Sequence, residues 1–302
     1  TAGALAQASA VQIDAAGKLV FNRSDAHTVG NTIAGAGTLQ QSGSGVVTIS
    51  GNNSGFTGSS ELAAGTLNVG HANALGASGS TGVIGFAGGT LQFSAANQND
   101  YSGRFVATGN QPIRIDTNGQ SVTFGSAMAG SGTSLRKLGS GSLTLSASNT
   151  YTGATTVDAG TLQVTGALAD SSDVSVASGA TYVVAATDTI QSLNGAGTIT
   201  LGSGVTLSTG GAGHDTVSGS IDGQGALTKL GSGSLTLSGT NSYSGDTTVA
   251  NGTLVLTGSL SNATDVVLTG TSTWDLRAAQ TVASLNMATG SSITRGAGTS
   301  SL

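Results

Sequence analysis

One stretch of about 30 residues occurs three times in this chain, and that repetition constrains the fold more than any other feature. The clearest copies span 135–164 and 227–256, and both contain the run Leu-Gly-Ser-Gly-Ser-Leu-Thr-Leu-Ser; a more divergent copy spans 39–69. Lys137 and Lys229 hold the same place in the two clear copies, 92 positions apart, and the similarity continues beyond them, so a larger unit of about 92 residues runs from residue 132 onward. Such repetition predicts stacked units that bury a core between neighbours.

Within each unit, apolar residues recur at alternate positions over short segments, as in Val174-Ser-Val176. This period of two predicts short strands, and the Gly, Ser, Asn and Asp between them predict turns. The chain is therefore predicted to be all-β: a right-handed parallel β-helix, or solenoid, with coils of about 20–25 residues stacked ~4.8 Å apart. We expect one continuous helix over residues 1–302, a single elongated rod, with Leu143, Leu145, Leu235 and Leu237 facing its interior. Pro112 is expected at a strand start or in a turn, because it cannot donate to an interior ladder.

The composition excludes several function classes. Only 9 Lys and Arg residues occur among 302, and the net charge is −5, so nucleic-acid binding, which needs clustered basic residues, is not expected. The absence of Cys excludes a disulfide framework and thiol chemistry. No apolar run is long enough for a membrane-spanning helix. Thr1 begins in mid-pattern, which predicts an excised fragment.

The repeated stretch, with its Leu-Gly-Ser-Gly-Ser-Leu-Thr-Leu core and the following Gly252-Thr-Leu254, resembles the passenger-associated transport repeat of bacterial autotransporters. The resemblance covers about a third of the chain. It implies a β-helical passenger from a Gram-negative bacterium, located outside the cell or at the cell surface, either released or anchored to the outer membrane. It also implies a C-terminal outer-membrane β-barrel, which these 302 residues lack. Members of this family are commonly adhesins or self-associating proteins.

One segment resembles a metal site. Residues 210–218 match the Ca²⁺-binding nonapeptide G-G-x-G-x-D-x-U-x, with Asp215 at the acidic position. Such sites share Ca²⁺ between tandem copies, and this is a single copy, so a tight glycine turn is the favoured interpretation and Asp215 the one candidate metal ligand. We predict no catalytic residues and no cofactor. Asp173 recurs as Asp265 after one 92-residue unit, which favours a structural, turn-capping role, since a catalytic pair is made once.

Several repeated side chains allow two interpretations. Phe56, Tyr151 and Tyr243 follow an Asn in each copy; they suit either sugar stacking or, as their repetition favours, packing against the coil while the Asn residues bond neighbouring turns. Lys137 and Lys229 are predicted at a solvated edge. Alternate Ser and Thr residues on the Leu143 and Leu235 strands are predicted to face outward, as a solvated face or a hydroxyl array for weak multivalent bonding.

The sequence thus predicts a non-catalytic passenger fragment that acts as a rigid stalk and an adhesive or self-associating surface. Its expected partner is a protein or glycan of a host or bacterial surface, or a second copy of itself. Two alternatives stay open: an enzyme that acts on polysaccharide along the helix groove, and a pure scaffold or autochaperone segment whose recognition function lies N-terminal to Thr1.

Overall fold

A computed structural model of the protein describes residues 9–296. Contacts between Cα atoms divide the chain into two compact units, residues 1–143 and 144–302. One continuous helix over 1–302 stays a prediction, and its ends, residues 1–8 and 297–302, lie outside the described part. Within that part no helix is long and apolar enough to cross a membrane.

The first unit contains short strands and one 3-10 helix at Ser102–Arg104. Its strands are β1 (Val11–Gln12), β2 (Lys18–Phe21), β3 (His27–Val29), β4 (Ile33–Ala34), β5 (Thr38–Gln41), β6 (Val46–Ile49), β7 (Ser59–Leu62), β8 (Thr66–Val69), β9 (Ile84–Phe86), β10 (Thr90–Gln92), β11 (Pro112–Asp116), β12 (Ser121–Phe124) and β13 (Ser134–Leu138). Pro112 is the first residue of its strand, as predicted. Strand β14 (Ser142–Leu145) contains the boundary between the units.

The second unit is built from strands of three or four residues. They are β15 (Thr155–Val157), β16 (Thr161–Val164), β17 (Asp173–Val176), β18 (Thr181–Val184), β19 (Asp188–Ile190), β20 (Ser192–Gly195), β21 (Thr198–Leu201), β22 (Thr206–Thr209), β23 (His214–Val217), β24 (Ile221–Gly223), β25 (Ala226–Lys229), β26 (Ser234–Leu237), β27 (Thr247–Val249), β28 (Thr253–Leu256), β29 (Asp265–Leu268), β30 (Thr273–Leu276), β31 (Ser284–Met287) and β32 (Ser292–Arg295).

These strands stack in parallel, each on the corresponding strand of the next coil. In the first unit the main sheets have the orders β2-β5-β7-β9 and β3-β6-β8-β10-β11-β13. In the second unit three sheets have the orders β15-β17-β20-β23-β26-β28-β30-β32, β16-β18-β21-β24 and β19-β22-β25-β27-β29-β31. Thr161 pairs with Thr181, one coil of 20 residues away, and Thr66 pairs with Thr90, 24 residues away. The prediction of an all-β parallel solenoid is confirmed; the hand of the coil stays a prediction.

The interior of each unit is filled by the apolar member of each alternating pair. Leu143, Leu145, Leu235 and Leu237 are at most 1 % exposed, as predicted. The coils approach so closely at the repeated Gly-Ser-Gly turn that a Cβ on Gly233 would collide with the carbonyl oxygen of Gly213 on the preceding coil. Glycine is required there by the close approach of two backbones.

Candidate functional site

The repeated aromatic residues lie inside the coils and do not form a sugar-stacking platform. Phe56, Tyr151 and Tyr243 are 0 % exposed. The hydroxyl of Tyr151 lies 2.7 Å from that of Thr155, and the hydroxyl of Tyr243 lies 2.6 Å from that of Thr247. Burial raises the pKa of both phenols above its ordinary value. The interpretation that their repetition favoured, packing within the coil, is confirmed.

The Asn that precedes each aromatic residue connects neighbouring coils. Asn241 accepts a hydrogen bond from the Ile221 amide at 3.1 Å, on the coil before it, and donates to the Ser259 carbonyl at 2.9 Å, on the coil after it. Asn53 does the same, accepting from the Ile33 amide at 2.7 Å and donating to the Ala74 carbonyl at 2.8 Å. Both are buried, so the predicted inter-turn bonds are confirmed.

The prediction for the repeated lysines was wrong. Lys137 and Lys229 are 0 % and 2 % exposed, and each points into the coil. Lys137 Nζ donates to the carbonyls of Leu138 and Gly139 at 3.0 and 2.8 Å, within the turn that follows its own strand. Lys229 Nζ donates to the corresponding Leu230 and Gly231 carbonyls. Burial lowers the pKa of Lys137 to about 8 and also lowers that of Lys229.

Asp215, the candidate metal ligand, lies inside strand β23 and not in a turn. Its side chain is buried, 8 % exposed, and its Oδ1 accepts a bond from the Asn194 amide at 3.0 Å. Its Oδ2 lies 3.4 Å from the Leu193 backbone nitrogen. Among the described residues, no group of three or more His, Asp or Glu side chains is arranged to hold a metal ion. The metal-binding interpretation of Asp215 stays untested.

The repeated aspartates bond across the coils. Ser192 donates to Asp173 at 2.8 Å, and Ser284 donates to Asp265 at 2.6 Å; this is the same inter-coil pair in two successive repeat units. The repetition therefore reflects a structural bond, although one that joins two strands and does not cap a turn.

Outward-facing hydroxyl groups form columns along the second unit. Thr189 pairs with Ser208, Ser208 with Thr228 and Thr228 with Thr248, so four consecutive coils present one hydroxyl each at the same position. We call these four residues the hydroxyl column. Its members are partly exposed, and stacked strands place such side chains ~4.8 Å apart. The column gives one wall of this unit a periodic array of groups that both donate and accept hydrogen bonds.

Two long loops of the first unit interrupt its regular stack of short strands. They were not predicted from the sequence. The segments 70–83 and 93–111 enclose a cleft of about 240 Å³ lined by residues 76–80 together with Asn99, Asp100, Tyr101 and Arg104. We call it the polar cleft. The sequence signals were the lack of alternation over both segments and, in 93–111, an unusual density of Asn, Asp and Arg for this chain.

The chain is thus a parallel β-solenoid with an aliphatic interior, inter-coil polar bonds and hydroxyl-bearing walls. The family model described as passenger-associated transport repeat matches residues 39–69, 135–164 and 227–256. The Adhesin BmaC autotransporter of Brucella suis biovar 1 (strain 1330) is 36 % identical over 142 residues, which are 45 % of this chain and 4 % of that protein. No solved structure matches the chain. Together these findings support an autotransporter passenger with passenger-associated transport repeats, surface-exposed or secreted.

Proposed function

We propose that this chain is a non-enzymatic stalk whose outer walls adhere to a surface partner or to a second copy of the chain. The observation that carries the proposal is the hydroxyl column, which repeats the same bonding group on four successive coils. Individually weak hydrogen bonds become effective when many are presented together on a stiff support. The adhesin named above, similar over 45 % of this chain, is consistent with that role.

The interior supports the stalk. Asn53 and Asn241 each bond a coil to the one before and the one after, while Lys137 and Lys229 donate from the interior to carbonyls of the turns that follow them. Buried polar groups that are fully bonded make one arrangement much more favourable than its alternatives. We therefore expect each unit to resist bending and unwinding.

The test is bead aggregation. Beads coated with the 302-residue chain are mixed with each other and with cells, beside beads coated with albumin. Adhesion predicts clumping or retention on cells, reduced when Thr228→Glu and Thr248→Glu place like charges on the hydroxyl column. The matched control carries Gln163→Glu and Val183→Glu, an outward pair on strands β16 and β18 that bears no hydroxyl groups, and it should clump as the wild type does. Beads that stay dispersed and are not retained would refute the adhesive role and favour the scaffold alternative.

A further inference from the structure

We propose that the polar cleft binds a single neutral sugar ring of a surface glycan. The proposal rests on the adhesive role put forward above and names a ligand class for one site within it. Ligand sites are usually preformed concave regions with a few fixed polar groups, and this cleft meets that description.

The cleft is held open by hydrogen bonds between its two loops. Arg104 donates from Nε to the Gly82 carbonyl at 2.6 Å and from Nη1 to the Leu75 carbonyl at 2.8 Å. Asn99 donates to the Ala72 carbonyl at 2.7 Å. The second loop is anchored below by Phe105, whose ring packs edge-on against Phe124 with centroids 5.3 Å apart. A site fixed in this way loses little freedom when it binds a ligand.

The charges of the lining favour a neutral ligand. Asp100 and Arg104 both line the cleft and carry opposite charges. An anionic ligand would be repelled by the Asp100 carboxylate, and a cationic ligand would be repelled by the Arg104 guanidinium. Sugar hydroxyls donate and accept equally well, so a neutral sugar suits Asp100, Arg104 and the exposed Ser78 together.

The size of the cleft agrees with this assignment. A volume of about 240 Å³ is below the roughly 300–1,000 Å³ of drug-sized sites, and it admits one ring but not a folded peptide segment. Tyr101 is only 4 % exposed and offers no stacking face, so a single ring binds weakly and affinity depends on multivalent display.

The test uses the full 302-residue chain and saturation-transfer NMR with methyl glycosides of glucose, galactose, mannose and N-acetylglucosamine; methyl glucuronide and glucosamine serve as charged probes. We expect at least one neutral glycoside to bind. S78Y, which fills the cleft from an exposed loop position, should weaken that binding at least tenfold. The control S203Y adds the same side chain at an exposed turn of the other unit and should leave binding unchanged.

The proposal is overturned if no neutral glycoside binds, if only the charged probes bind, or if S78Y binds as the wild type does. Circular dichroism and urea midpoints of each variant show whether its fold is intact. The bead experiment on the same preparations separates the two proposals. If the beads clump or adhere but no glycoside binds, the sugar site is refuted and the adhesive role is not. If the beads stay dispersed and are not retained on cells, the adhesive role is refuted.

Discussion

Replacing Asp188 with Asn should change how the stability of the second unit depends on pH. Asp188 is only 5 % exposed, and its carboxylate accepts hydrogen bonds from the backbone amides of Leu168 and Thr189, each at 3.0 Å. Burial raises the pKa of this carboxyl to about 6; the two amide bonds oppose the rise, and the nearby Asp170 adds to it.

The magnitude follows from the difference between the folded pKa, about 6, and the ordinary value of 3.8. At about 1.4 kcal/mol for each pH unit, this difference corresponds to roughly 3 kcal/mol, and relaxation of the protein around the buried charge reduces it to roughly 1–2 kcal/mol. Because the folded-state pKa is raised, the folded form holds the proton between about pH 4 and 6 while the unfolded form has released it. The contribution of Asp188 to stability is therefore complete below about pH 4 and is lost as pH rises through about 6.

The repeat itself supplies the neutral counterpart. Gln280, 92 positions later, accepts from the Leu260 amide at 2.9 Å and donates back to the Leu260 carbonyl at 3.0 Å. An amide at position 188 keeps an acceptor for the Leu168 amide and carries no charge at any pH. We expect D188N to match the wild type near pH 4 and to exceed its free energy of unfolding by roughly 1–2 kcal/mol at pH 7.

The assay is urea unfolding at pH 4 to 8, followed by the fluorescence of Trp274, the single Trp of the chain, which is buried in the same unit. Subtracting the wild-type free energy of unfolding from that of the variant at each pH removes the pH dependence that the other carboxylates contribute to both. The matched control is D173N, which removes a carboxylate that bonds Ser192 at an exposed position. If the difference between D188N and the wild type stays constant from pH 4 to 8, the reasoning is refuted.

Substitutions in three further parts of the interior, two of them with a matched control, test the packing of the coils. K137A should destabilise the first unit by roughly 2–4 kcal/mol, because it leaves a cavity and removes the buried donor to the Leu138 and Gly139 carbonyls, whereas K137Q should cost under about 1 kcal/mol. Since the Lys137 pKa is lowered to about 8, wild-type stability should also rise between about pH 8 and 10.5, and circular-dichroism melts of K137Q should show a smaller rise, because Lys229 still contributes. G233A should cost roughly 2–3 kcal/mol through its clash with the preceding coil, while G213A, whose Cβ would meet no atom within 4 Å, should be nearly neutral in urea unfolding. N241A should cost roughly 2–4 kcal/mol, measured by Trp274 fluorescence in urea, and a loss under about 0.5 kcal/mol would contradict its role between coils.

The alternation rule predicted the fold well, and the error at the lysines came from departing from that rule. Along Leu135-Arg-Lys-Leu138 strict alternation places Leu135 and Lys137 inside, and the structure does so, with Arg136 exposed. The prediction of an edge lysine followed residue type and ignored the period. The polarity of lysine suggested an exposed position, but the turn beyond the strand supplies carbonyl acceptors that allow it to be buried. The sequence around Lys137 does not show that these carbonyls point inward.

The polar cleft could not be predicted for a different reason. Its geometry depends on bonds such as that from Arg104 to Leu75, 29 positions apart, and segments without a period carry no signal for such pairings.

At Asp215 the sequence carried two conflicting signals, a motif and a period. The nonapeptide pattern suggested a glycine turn, but the alternation of His214–Val217 prevailed and placed the aspartate inside a strand.

The divergent copy explains why the interior and the walls can be considered separately. Where the clear copies have Lys137 and Lys229, the copy at 39–69 has Gln41, which is 0 % exposed and donates to the carbonyls of Gly43 and Gly45 at 2.8 and 3.1 Å. The requirement at this position is an inward N–H donor that reaches the following turn, and its charge is incidental. Since such donors and the aliphatic core satisfy the coil from within, many outward residues, apart from inter-coil pairs such as Asp173 and Ser192, carry fewer folding constraints. Recognition in a chain of this kind should therefore reside in outer hydroxyls and inserted loops, and variants of those residues should alter binding while leaving the unfolding midpoint unchanged.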